Sequence, residues 1–157
     1  MTDHREKSAS RSAEWMRNEH RINLGLMASL MKEIACIPPH GREAWLDHLR
    51  ATVSRFRAHI KSRFSAEEAG EGFLQPVLDV QPMFGPQVDH LRHEHAQLIK
   101  WLDQLQEQSL RLKPDDTLLI EDFCQRIESL VKAVKHHQEN EEMLVTMAFA
   151  TDIGAAG

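Results

Sequence analysis

The sequence predicts an all-α chain folded as an antiparallel up-down four-helix bundle. Three observations carry this. Four long segments place apolar residues three and four apart, chain breaks fall only between those segments, and β-type alternation is scarce. The length of 157 residues suits one domain, and a chain of that size buries about 68–70% of its unfolded surface. Four amphipathic helices with short connections close most simply as a bundle.

Taken in order, residues 1–10 are polar and are expected to form a disordered leader, with the bundle over 11–153. The first helix is predicted near 11–36, with Met16, His20, Leu24, Met27, Met31 and Ile34 along one face. Pro38-Pro39-His40-Gly41 ends it. The second, near 41–69, carries Leu49, Val53, Phe56, Ile60, Arg63 and Glu67. Gly70-Glu71-Gly72 breaks the chain again, and a short helical turn is expected around Phe73–Val80. The third, near 87–111, follows Pro86 and runs Val88, Leu91, His95, Leu98, Leu102, Leu105. The fourth, near 115–150, follows Pro114 and runs Phe123, Ile127, Leu130, Val134, His137, Glu141, Leu144, Ala148.

Composition narrows the function. The net charge of −5 argues against nucleic acid or an anionic membrane as the main partner. Hydrophobic runs are too short to span a bilayer, and the polar start lacks a secretory signal, so a cytoplasmic protein is expected. Cys36 and Cys124 have no metal-knuckle spacing and read as reduced core thiols. There are ten histidines and no tyrosine, which leaves imidazole and carboxylate as the chemistry. Hydrolase, phosphate-loop and dinucleotide motifs are lacking, and an enzyme is not the expected class.

The chemistry lies where the seams are interrupted. His20, Arg63, Glu67, His95, His137 and Glu141 occupy core positions, where an unsatisfied polar group costs several kcal/mol. An internal repeat relates them. Asn18-Glu19-His20 matches His93-Glu94-His95, and Arg63-xxx-Glu67-Glu68 matches His137-xxx-Glu141-Glu142. Two helix pairs in pseudo-twofold relation follow. His137 and Glu141, four apart, project from one helix face, and imidazole with carboxylate is the ligand set of iron, manganese or zinc.

These residues resemble the hemerythrin-like family, the HHE cation-binding domain, from about residue 14 to 153. That family places a His on helix 1, HxxxE on helix 2, a His on helix 3 and HxxxE on helix 4. Here His20, xxxGlu67, His95 and His137xxxGlu141 fill the pattern. The phrases RFSAEEAGEGF, LRHEHAQL and AFATDIG also resemble a bacterial branch of it. The resemblance implies iron (Fe2+/Fe3+), one or two per chain, His20, His95 and His137 as terminal ligands, and Glu67 and Glu141 as bridges. It further implies O2 or a similar small ligand as partner, in binding, sensing, iron handling or a redox stress response, with peroxide or NO chemistry as an enzymatic variant. A protein partner or homo-oligomer remains open.

One position departs from the family pattern. Arg63 stands where the helix-2 His belongs, and a guanidinium stays protonated and only donates. Near the seam centre it can pair with Glu67 and reach Glu141, replacing a bound cation. His59, one turn earlier, is the candidate substitute ligand, although it lies roughly 70° off the seam centre. Two irons, one metal or none are the three occupancies open. The alternative function is a degenerate, metal-free bundle acting as a structural or interaction module. Glu68, Glu139 and Glu142 read as solvated, as do His4, His40, His48, His90, His93 and His136. Met16, Met27, Met31, Met143 and Met147 read as core filler. The basic run Arg50–Arg63 reads as a solvated face.

Overall fold

The computed structural model describes the backbone over residues 2–69 and 72–155. Gly70 and Glu71, part of the second predicted break, and the side chains of the AFATDIG ending beyond Phe149 lie outside the described residues. The elements are α1 (Thr2–Ile34), α2 (Arg42–Glu68), α3 (Leu74–Val80), a 3-10 turn (Pro82–Phe84), α4 (Gly85–Arg111) and α5 (Thr117–Ala155). α1, α2, α4 and α5 are the four bundle helices. Cross-contacts such as Glu33–Thr52, Arg57–Asp103 and Gln108–Asp122 run in opposite chain directions on neighbours, as an up-down bundle requires. α1 closes the ring against α5 through His20 and Glu142.

Two boundaries differ from expectation. α1 begins at Thr2, where the sequence placed a disordered leader over 1–10. Residues 2–10 hold no proline or glycine, and Asp3 and Glu6 favour a helix N-terminus. α5 continues to Ala155, past the predicted end at 150. The loops are tied by side chains. Gly41 takes φ 69° at the start of α2, a left-handed conformation that suits glycine. Arg42 donates to the Pro38 carbonyl and to Thr117 Oγ1, joining the two lower connections. Arg50 donates to the carbonyls of Ser109 and Leu112, the orphan acceptors at the end of α4. Arg57 and Lys61 meet Asp103 across the α2–α4 groove. The basic run of α2 is therefore largely a set of inter-helix ties rather than a solvated face.

The interior is two apolar clusters separated by a polar layer. The larger holds Met27, Leu30, Leu49, Phe56, Ile60, Leu102, Phe123, Ile127 and Leu130. The smaller holds Met16, Phe73, Leu74, Val77, Val88, Leu91, Leu144 and Ala148. Between them lie His20, Asn23, Arg63, Glu67, His95, His137, Gln138 and Glu141, all buried. On α1 the buried seam runs through Asn23 and Leu30. Leu24, predicted on the seam, is half exposed. Cys124 is buried as expected, but Cys36 is exposed, because α1 has ended and the chain has left the core.

Asn23 is fully buried, and neither amide atom has a partner. A buried unpaired polar group costs about 1–3 kcal/mol, which an apolar side chain of similar size does not incur. Asn23→Leu is expected to raise stability by about 1 kcal/mol, read as a melting temperature about 3 °C higher. A melting temperature below the parent's would show that the amide is satisfied.

Candidate metal centre

Each site residue arrives on a bundle helix at one level. α1 brings His20, α2 brings Arg63 and Glu67, α4 brings His95, and α5 brings His137 and Glu141. The structure thus brings together all five predicted ligands and Arg63. The chain after α2 folds back tightly over the centre. A Cβ on Gly72 would meet the Glu67 Cα at 2.8 Å and its Cγ at 2.9 Å, so only glycine lets this segment lie against Glu67.

Arg63 occupies one half of the centre. Its Nε donates to Glu67 Oε1 at 3.1 Å, and its Nη2 donates to Glu141 Oε2 at 2.6 Å and to His20 Nε2 at 2.9 Å. Since a guanidinium can only donate, His20 Nε2 accepts, and its proton lies on Nδ1. Nδ1 donates to Glu142 Oε1 at 2.7 Å. The other half is different. His95 Nε2 lies 2.9 Å from Glu67 Oε2, and His137 Nε2 lies 2.6 Å from Glu141 Oε1. All four atoms are buried, and none has the geometry of a hydrogen bond. Ligand atoms of His95, His137 and Glu141 lie within 4.8 Å of one another. Phe64 walls this half, stacked on His95 with centroids 3.9 Å apart and edge-on to His137.

Charge divides unequally between the two carboxylates. Burial alone would raise Glu141, but the Arg63 charge and the His137 contact hold it well below the usual carboxylate range. Burial and the adjacent Glu141 charge push Glu67 up to about 9, against the pull of Arg63. Glu67 is therefore a neutral acid at pH 7. Burial and the facing His137 hold His95 down to about 4, so its imidazole is neutral. Burial disfavours the charged form of His137 too, yet its contacts to Glu141 and Glu94 outweigh this and raise it. The permanent pair of the centre is Arg63–Glu141.

The donors left unengaged gather in one half of the centre. Orphaned imidazole nitrogens and carboxylate oxygens face each other in the half built on His95, His137, Glu67 and Glu141. In the half built on His20, the same carboxylates and His20 Nε2 are already engaged by Arg63. His59 does not enter the centre. Its Nε2 lies 3.3 Å from Glu19 Oε2, at the α1–α2 seam, as its offset from the seam centre implies.

Sequence reasoning missed three supporting acids. Glu142, read as solvated, orients His20, and Glu68 lies 3.7 Å from His95 Nδ1. Glu94 accepts from His137 Nδ1 at 2.9 Å. A signal was present. A ligating histidine needs a partner for its second nitrogen, and Glu94, Glu68 and Glu142 stand beside site residues in both copies of the repeat.

Comparison with known proteins adds one match. A family model described as Hemerythrin HHE cation binding domain matches residues 11–149. No curated protein and no solved structure matches the chain.

Two measurements follow from the charge division. Glu141→Gln removes the counter-charge of a buried guanidinium and is expected to cost about 3–5 kcal/mol in urea unfolding at pH 7. Glu67→Gln replaces a neutral acid by a neutral amide and is expected to cost much less. Equal losses would overturn the assignment. Glu67 keeps its proton to about pH 9 when folded but loses it near its ordinary value of 4.5 when unfolded. Over that window the native chain binds one more proton, so stability falls as pH rises, and levels off above 9. His95 acts oppositely, but only between about 4 and 6.5. The metal-free chain should therefore lose stability from pH 7 to 9, and Glu67→Gln should reduce that loss, leaving the smaller fall of the same sign that the raised His137 contributes. A flat parent profile would count against a protonated Glu67.

Proposed function

Because the chain belongs to the hemerythrin HHE cation-binding domain family, we propose that it binds a single metal cation, iron, between His95, His137 and Glu141, with Glu67 beside His95 as the further carboxylate. One observation carries this reading: His95 Nε2, His137 Nε2, Glu67 Oε2 and Glu141 Oε1 are buried, face one another and lack hydrogen-bond partners. His20 serves instead as an acceptor for Arg63, and Arg63 stands in for a second cation.

Iron, when bound, supplies redox chemistry and a position for a small ligand such as O2. The chain's own residues set the conditions for it. Glu94 holds the Nδ1 proton of His137, which leaves Nε2 free to ligate. Phe64 and the flanking apolar clusters exclude water. Glu67 holds a proton at neutral pH that a cation must displace, so uptake releases protons and tightens as pH rises. Arg63 adds a fixed positive charge beside the cation, which favours the reduced, lower-charge state and accommodates an anionic ligand. The biological role that suits these properties is O2 or redox sensing, or iron handling, in a cytoplasmic setting.

A metal-free bundle is the competing reading. The hydrogen bonds of Arg63 to His20, Glu67 and Glu141 favour it, since they satisfy half the centre without any ion. The buried Nε2 atoms of His95 and His137, close to carboxylates but without hydrogen-bond geometry, oppose it.

Metal content after anaerobic ferrous loading and desalting decides between them. About one iron per chain is expected, and iron at 100-fold over its dissociation constant should stabilise the chain by about 2.7 kcal/mol, reversibly with chelator. Arg63→His should raise the content toward two, while His59→Ala should leave it unchanged. A content near zero, or no gain from Arg63→His, would overturn the proposal.

A further inference from the structure

Met143 and Met147 do not fill the core. They are 60% and 49% exposed, because the buried seam of α5 passes through Glu141, Leu144, Val145 and Ala148 instead. Both line a groove of about 420 Å3 between the start of α4 and the stretch of α5 from Asn140 to Met147. His90, from α4, lines the same groove from the opposite wall, its side chain 71% exposed. Phe84, Pro86, Leu91 and Leu144 add apolar lining, Gln87 and Asn140 add two amides, and no carboxylate is among the lining residues.

This donor set has a specific chemistry. Residues four apart on a helix lie one above the other, about 5–6 Å apart at Cβ. Thioether arms with three rotatable bonds can close that span onto one ion. Two thioethers and an imidazole are soft, neutral donors. Such a set selects a soft monovalent cation over iron, zinc, magnesium or calcium, which favour harder or charged ligands. The apolar walls suit a cation of low charge, and the chain's net charge of −5 favours any cation.

We propose that Met143, Met147 and His90 form a binding site for a soft monovalent cation, Cu(I) or its redox-inert analogue Ag(I). This site is separate from the buried centre and does not depend on iron binding there. It is nevertheless connected to it. His90 Nε2 lies 3.8 Å from Glu94 Oε2, and Glu94 Oε1 accepts from His137 Nδ1. A cation drawing on His90 would change the partner of the carboxylate that orients His137.

Silver titration of the full chain, with its methionine methyl groups carbon-13 labelled, tests the proposal. The exposed thiol of Cys36 would compete, so Cys36→Ser is the background. Cys124 is buried in the larger apolar cluster and is not among the groove lining residues. The Met143 and Met147 methyl resonances should shift together and saturate at one silver per chain. Met83, 72% exposed but outside the groove lining, should shift far less. Met143→Leu/Met147→Leu should abolish that uptake and His90→Ala should weaken it at least about tenfold, both with native helical content. Equal shifts at Met83, or undiminished uptake by the double variant, would overturn the site. Iron uptake by the same variants is read separately, so failure of either metal reading leaves the other standing on its own result.

Discussion

The contact between Arg63 and Glu141, closed at 2.6 Å in the interior, is the constraint on which the rest of the centre depends. A guanidinium away from water is tolerable only when its charge and donors are met. Glu141 meets the charge, and Glu67 and His20 meet two of the remaining donors. Each of those residues then has its state dictated. Glu141 must stay ionised, His20 must present Nε2 as an acceptor, and Glu67, left beside an ionised neighbour with no cation of its own, retains a proton. Arg63 Nη1 is buried without a partner. The polar layer is therefore an incompletely satisfied stratum between two well-packed apolar clusters.

The pseudo-twofold repeat explains how one substitution gives a one-sided centre. In the α4–α5 half, Glu94 accepts from His137, which faces Glu141. In the α1–α2 half, the residue matching Glu94 is Glu19 and the residue matching His137 is Arg63. Arg63 turns inward to the carboxylates, and Glu19 pairs with His59, one turn earlier on α2. The scaffold of orienting acids is thus retained in both halves, while an imidazole facing the carboxylate four residues on is retained in one. Glu142 and Glu68 show the same symmetry across the bundle, reaching toward His20 and His95.

The two ends of the molecule differ in what the chain leaves exposed. Beyond the larger apolar cluster, Arg42 and Arg50 seal the connections by donating to loop carbonyls. Beside the smaller cluster, Met143 and Met147 are partly exposed in the groove that His90 also lines. Soft, neutral donors gather at that end and hard, charged ones at the centre. A cation's hardness, rather than its size, would sort it between the two.

The helices, their order and the seam positions were legible in the sequence, because a 3.6-residue period records which face each helix buries. That pattern alone placed His20, Arg63, Glu67, His95, His137 and Glu141 in the interior. It could not say which atoms of those side chains meet. Only tertiary packing decided that Arg63 takes the His20 half, that His59 turns to Glu19, and that the second nitrogens of His20 and His137 find Glu142 and Glu94. The misplacements have the same origin. Asn23 replaced Leu24 on the seam, and Met143 and Met147 fell outside it, because real helix neighbours narrow or shift the buried stripe by a residue. Periodicity is a property of one helix. Protonation, tautomer and ligand pairing are properties of four helices in contact, and no single helix encodes them.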